Sequence, residues 1–82
     1  MEPKKMFVLM LRIAYEGEQF LGLFETIEQA SKAATRSAKK RGMKFDEKDG
    51  DFFNEHEIVL AYEVSVGALM EDLHQIMLSE VK

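Results

Sequence analysis

Between Ser31 and Phe45 the chain carries Lys32, Arg36, Lys39, Lys40, Arg41 and Lys44, and no acid. The next segment, Asp46–Glu57, reverses the sign: Asp46, Glu47, Asp49, Asp51, Glu55 and Glu57 stand against Lys48 alone. Lys32, Arg36 and Lys39/Lys40 have the spacing of one exposed row on a helix. Such a row can neutralise phosphates and displace their condensed counterions. It is also what a solvated helix carries in its last turns, where cations meet the negative end of the dipole. Acids directly beyond the row oppose a long polyanion, and favour a protein partner with a mixed-charge patch of its own.

Other constellations are weaker. Placing Gly50 at the sixth position of a calcium-binding loop puts Phe45 first and His56 twelfth, and neither supplies the required oxygen. Glu71-x-x-His74 has the spacing of di-metal carboxylate bundles, but occurs once, without the carboxylates that other helices would add. His56 in "EHE" reads as solvated, and neither histidine has a nucleophile motif beside it. The five glycines are scattered singly, so no phosphate loop is present. Arg12 and Glu63 are expected to pair across strands. No acid, base and nucleophile converge, which points away from an enzyme and from a cofactor.

These residues must be positioned by a few elements. "MFVLMLRIAY", Met6–Tyr15, is apolar at both alternating sets of positions and reads as a central strand covered on both faces. A turn over Tyr15–Glu18 follows, with Gly17 at positive φ. The returning strand Gln19–Glu25 then pairs Ile13 with Phe20, Leu11 with Gly22 and Leu9 with Phe24. Thr26 and Gln29 form a capping-box pattern, and Gly42 ends a helix over Thr26–Arg41. Its inner stripe is Ile27, Ala30, Ala33/Ala34 and Ala38, expected to lie on the Phe20/Phe24 face. A hairpin or loop surrounds Asp49–Gly50. Glu57–Val66 is a third strand, with Val59, Ala61 and Glu63 assigned to the face of Val8, Met10 and Arg12. The helical spacing of Leu69/Met70, Leu73, Ile76/Met77 and Val81 predicts a second helix.

The expected fold is thus α+β: a three-stranded mixed sheet of order 2-1-3 with β-β-α-β-α topology, in one domain over residues 1–82. Apolar Val8, Met10, Leu21, Leu23, Val59 and Ala61 are much surface for one short helix to cover, so a homodimer is expected.

Bulk properties narrow the class further. The chain has 82 residues, 46% of them hydrophobic, a net charge of −4 and no cysteine. A disulfide framework and thiolate metal sites are excluded. The acidic balance argues against global attraction to nucleic acid or anionic membrane. The apolar run Met6–Leu11 after Lys4 and Lys5 is too short for a signal peptide or a span. A cytoplasmic protein without membrane association is expected.

Leu21, Gly22, Phe24, Thr26, Glu28 and Ala30 make up an "LG-x-F-x-T-x-E-x-A" segment after a strand and tight turn. From Met6 to about Ala38 this resembles a pattern met in small uncharacterised phage and bacterial proteins. The resemblance implies a hairpin leading into a capped, Ala-faced helix, and a phage or prophage accessory protein by analogy. It brings no activity or ligand.

The function expected is that of a non-enzymatic interaction protein using its charge-segregated helix–loop surface. The candidate partner-binding residues are Lys32, Arg36, Lys39, Lys40, Arg41, Lys44, Asp46, Glu47, Asp49 and Asp51. Met10, Met70 and Met77 suit an adaptable contact surface or core filling. The alternative is a nucleic-acid-binding accessory using the basic stripe.

Overall fold

In the computed structural model, residues 4–66 and 73–81 are described. Strands β1 (Lys4–Ile13) and β2 (Gly17–Phe24) lead to helix α1 (Ile27–Lys40). Two short strands, β3 (Lys44–Asp46) and β4 (Asp51–Phe53), precede the long β5 (Glu57–Val66), and β6 (His74–Ile76) closes the order. The strands form one sheet of order β2-β1-β5-β4-β3, with β6 also on β5. Every pairing is antiparallel. The fold is α+β, and β2-β1-β5 is the expected 2-1-3 order. The sheet is neither three-stranded nor mixed, however: the segment after α1 adds β3 and β4, and the chain's end adds β6, for six antiparallel strands. β2 and β5 run in the same direction but never touch, because β1 lies between them. Among the described residues no helix is long and apolar enough to cross a membrane.

The core lies between α1 and one face of the sheet. Leu9, Leu11, Val59, Ala61 and Phe52 are at most 1% exposed, and Ala30, Ala34 and Ala38 at most 2%. The alanines have no long side chains, so the helix lies close over the strands. Each fully buried Leu, Val or Phe contributes roughly 1.5–3 kcal/mol. Thr26 caps α1 by accepting from the Gln29 N–H at 3.1 Å, and Gln29 Oε1 accepts from the Glu25 N–H at 3.1 Å. At the other end Gly42 takes φ +65°, and the Met43 N–H bonds the Ala38 carbonyl.

Four expectations about strand geometry are corrected. The first is the β1–β2 register: Phe7 faces Phe24, Leu9 faces Gly22 and Met10 faces Phe20, with a bulge that leaves Leu21 extra. The additional residue flips the parity of the strand. Leu21 and Phe24 therefore pack under α1, while Phe20 points away from it, 64% exposed. Second, β5 sits with Val59 opposite Leu11 and Ala61 opposite Leu9, so both belong to the helix face rather than to that of Val8 and Met10. Third, Arg12 does not pair with Glu63. It bonds Glu18 and Tyr62, and Glu63 joins Lys5 at 3.2 Å.

The fourth correction concerns the chain's end. Leu73 to Val81 is not helical. His74–Ile76 pairs with β5, Ala61 facing Ile76, and the rest is an extended tail. Leu69, Met70 and Glu71 lie outside the described residues. β6 shares one edge of β5 with β4, so the chain meets the β3–β4 turn, where the Leu78 N–H bonds the Gly50 carbonyl at 2.7 Å. It then drops to the helix layer. Leu78 enters the core at 3% exposure, and the Ser79 and Val81 N–H groups bond the hydroxyls of Ser31 and Thr35.

Candidate functional site

The basic stripe is real as geometry. Lys32, Arg36 and Lys39 occupy successive turns of α1 and are all exposed. With Thr35 and Val81 they line a groove of about 420 Å³ between the helix and the tail. The groove exists because the tail docks on Ser31 and Thr35, one turn apart beside the stripe. Among the described residues none of the three cations has an ion-pair partner within 4.0 Å. A groove with three cations on one wall and an aliphatic side chain on the other can hold a carboxylate-bearing chain segment.

The remaining candidates are not brought to that groove. Lys40 is exposed in the last turn of α1 but does not line it. Arg41 serves the fold: Nη1 lies 3.8 Å from Glu57 Oε2, and its carbonyl accepts from Asn54 Nδ2 at 3.2 Å. Lys44 borders a separate depression with Gly42, Phe53, Asn54 and Glu55. Asp46 builds the β3–β4 turn, its Oδ1 accepting from the N–H groups of Lys48 and Asp49. Glu47 is exposed on that turn. Asp49 and Asp51 open onto the opposite face of the sheet. The expected surface of adjacent opposite charge is thus divided between two faces, because β3–β4 is a hairpin within the sheet and not a loop beside the helix.

On that second face a larger groove of about 470 Å³ has Arg12, Lys48, Asp49 and Asp51 on its walls, with Ile58, Leu60, Gln75, Ile76 and Met77. Arg12 is held from two sides. Its Nε donates to Glu18 Oε1 at 2.9 Å and its Nη2 donates to Tyr62 Oη at 2.9 Å. Its pKa is raised above the ordinary arginine value, first by the hydrogen bond to Glu18. Asp51 is raised as well, by burial first and then by the negative charges of Asp46 and Asp49. Sequence reasoning missed this groove. The available signal was Arg12 itself, a lone cation in an apolar strand.

Among the described residues no three His, Cys, Asp or Glu side chains are placed to hold a metal ion. His56 is largely solvated beside Glu55, and His74 is exposed on β6. Comparison of the chain with protein-family models, with curated proteins and with solved structures finds no match.

Proposed function

We propose that the chain is a non-enzymatic interaction protein that takes an acidic segment of a protein partner along α1. One observation carries this reading: Lys32, Arg36 and Lys39 stand unpaired among the described residues, along one groove walled by Val81. The alternative, nucleic acid, is a poorer fit in magnitude. Three cations would neutralise about three phosphates, a salt slope near −2.7, far below that of specific duplex binders. The net charge of −4 works against it as well. The test is affinity capture with wild type and with Arg36→Glu/Lys39→Glu, beside electrophoretic shift with duplex and single-stranded DNA. Partners lost on charge reversal support the reading. Submicromolar DNA binding at physiological salt, abolished by the same reversal, overturns it.

A second reading, self-association, rests on a different surface. Phe20 and Leu23 are 64% and 51% exposed on the face of β2 turned away from α1. Large apolar side chains exposed together on a sheet face mark an interface, and we infer that two copies meet there.

A further inference from the structure

The second groove holds opposite charges apart. Arg12 rises from β1, Lys48 and Asp49 from the β3–β4 turn and Asp51 from the start of β4. Among the described residues Lys48, Asp49 and Asp51 take part in no ion pair, although they line the same space. Asp51 is half-buried, and its side chain accepts no hydrogen bond from a described residue. Arg12 favours the Asp51 charge from a distance but makes no ion pair with it, and burial together with Asp46 directly across the hairpin outweighs that help.

Arg12 is the opposite case. Glu18 and Tyr62 fix its orientation, and Nη1 has no partner among the described residues. Beside these poles lie Ile58, Leu60 and the exposed Met77. Leu60 is only 1% exposed, so the apolar surface the groove offers is that of Ile58 and Met77.

We propose that this groove binds a small zwitterion, an α-amino acid with an aliphatic side chain. The ammonium sits against Asp51 and Asp49, where it supplies the close ion pair that Arg12 does not. The carboxylate takes the free donor of Arg12 and the ammonium of Lys48, and the aliphatic side chain covers Ile58 and Met77. A volume of about 470 Å³ admits such a molecule with a few waters. The site lies across the sheet from α1, so it does not depend on the basic stripe.

The test is a titration of the full chain with L-leucine, followed through backbone amide NMR shifts. N-acetyl-leucine and leucinamide serve as controls that each keep one charge. Saturable shifts at Asp51, Ile58 and Leu60 are expected with leucine. Each singly charged control should bind at least about tenfold more weakly, a difference of about 1.4 kcal/mol. Asp51→Asn should weaken leucine binding similarly, and Arg36→Glu should leave it unchanged. If Asp51→Asn does not fold, Lys48→Met probes the other pole with the same expected loss. No saturable shift up to about 10 mM, a dissociation constant too weak to be specific, would overturn the proposal. So would equal affinity for leucine and both controls, or unaltered binding in folded Asp51→Asn or Lys48→Met.

Discussion

The Ser79 N–H donates to Ser31 Oγ at 3.0 Å, and two residues on, the Val81 N–H donates to Thr35 Oγ1 at 3.0 Å. The spacings match for a geometrical reason. Four residues of helix rise about 6 Å, and two residues of extended chain span about 6.6 Å. An extended tail running alongside α1 therefore meets its hydroxyls in step. Ser31 and Thr35, polar residues in a helix, end up 2% and 4% exposed without an unsatisfied group.

The tail is thereby part of the fold. Ser31→Ala leaves the Ser79 N–H without its acceptor and should cost about 1–3 kcal/mol. Deleting residues 78–82 removes Leu78 from the core and should cost more, about 2–5 kcal/mol. Urea denaturation of the two variants measures both. A tail deletion with the wild-type midpoint would show that Leu78 and its hydrogen bonds contribute nothing.

Gly50 links that tail to the β3–β4 turn, and its space is already taken. It has φ +67°, and a Cβ built on it would lie 2.5 Å from Met77 Cβ and 2.6 Å from Met77 Cα. Gly42 has nearly the same φ, +65°, but open space around it. Gly42→Ala should therefore cost only about 1 kcal/mol, the left-handed strain alone. Gly50→Ala must also displace the tail backbone and should cost at least about 2 kcal/mol. Equal melting shifts for the two would contradict this account of the turn.

Much of the first half of the fold was legible in the residues. The two-faced apolarity of β1 announced a central strand, and Thr26, Gln29 and the alanine stripe marked α1. What the period could not show was the single extra residue at Leu21. One bulge exchanges the faces of a strand, so Phe20 moved from core to surface without any change of composition. The last segment misled for another reason. Leu73, Ile76, Met77 and Val81 satisfy helical spacing, yet Ile76 and Leu78 also alternate as strand residues do. The hydroxyls of Ser31 and Thr35, distant in sequence, help hold the extended form. At the candidate site the cationic row on α1 was readable from its spacing. Its separation from Asp49 and Asp51 was not, because it follows from the hairpin's place in the sheet.

Asp51 should make stability depend on pH in the sense opposite to most carboxylates. Its pKa is raised, by burial first and by Asp46 and Asp49 next, against a lowering by Arg12. The folded chain therefore takes up this proton at a higher pH than the unfolded chain does. Between the two pKa values the native state binds more protons, so this contribution to stability rises as pH falls. Above that window the ionised carboxylate carries its full cost. Asp51→Asn should raise stability at neutral pH by less than about 1 kcal/mol, since solvent screens a partly exposed group. The gain should shrink as pH falls toward 4 and vanish below about pH 3, where aspartate is protonated in both states. Urea midpoints at neutral pH and in that acid range decide it, and a neutral-pH loss would be the wrong sign.

Charge reversal on α1 should separate binding from folding. Arg36 and Lys39 are exposed and form no ion pair with a described residue. Arg36→Glu/Lys39→Glu should change unfolding free energy by no more than about 0.5 kcal/mol per site, while abolishing capture of an acidic partner. Arg41→Glu is the contrasting variant. It places a like charge beside Glu57, 3.8 Å from the present guanidinium, and should destabilise the helix end. Destabilisation by the stripe variant as large as that by Arg41→Glu would mean the stripe is structural.

Self-association should follow the bulge in β2. That irregularity puts Phe20 opposite Met10 and leaves Leu23 opposite Val8, all on the face away from α1. Val8 and Met10 are half-buried, whereas Phe20 and Leu23 are mostly exposed. A two-fold contact would use each side chain twice, and burying one such side chain is worth roughly 1.5–3 kcal/mol. Phe20→Ser/Leu23→Ser should therefore weaken the dimer by at least about 100-fold, or 2.7 kcal/mol. Neither side chain belongs to the core beneath the helix, so circular dichroism should be unchanged. Light scattering at high micromolar concentration should give twice the monomer mass for wild type and the monomer mass for the double variant. A wild-type monomer at that concentration removes this interface from consideration and leaves the α1 groove as the surface for a partner.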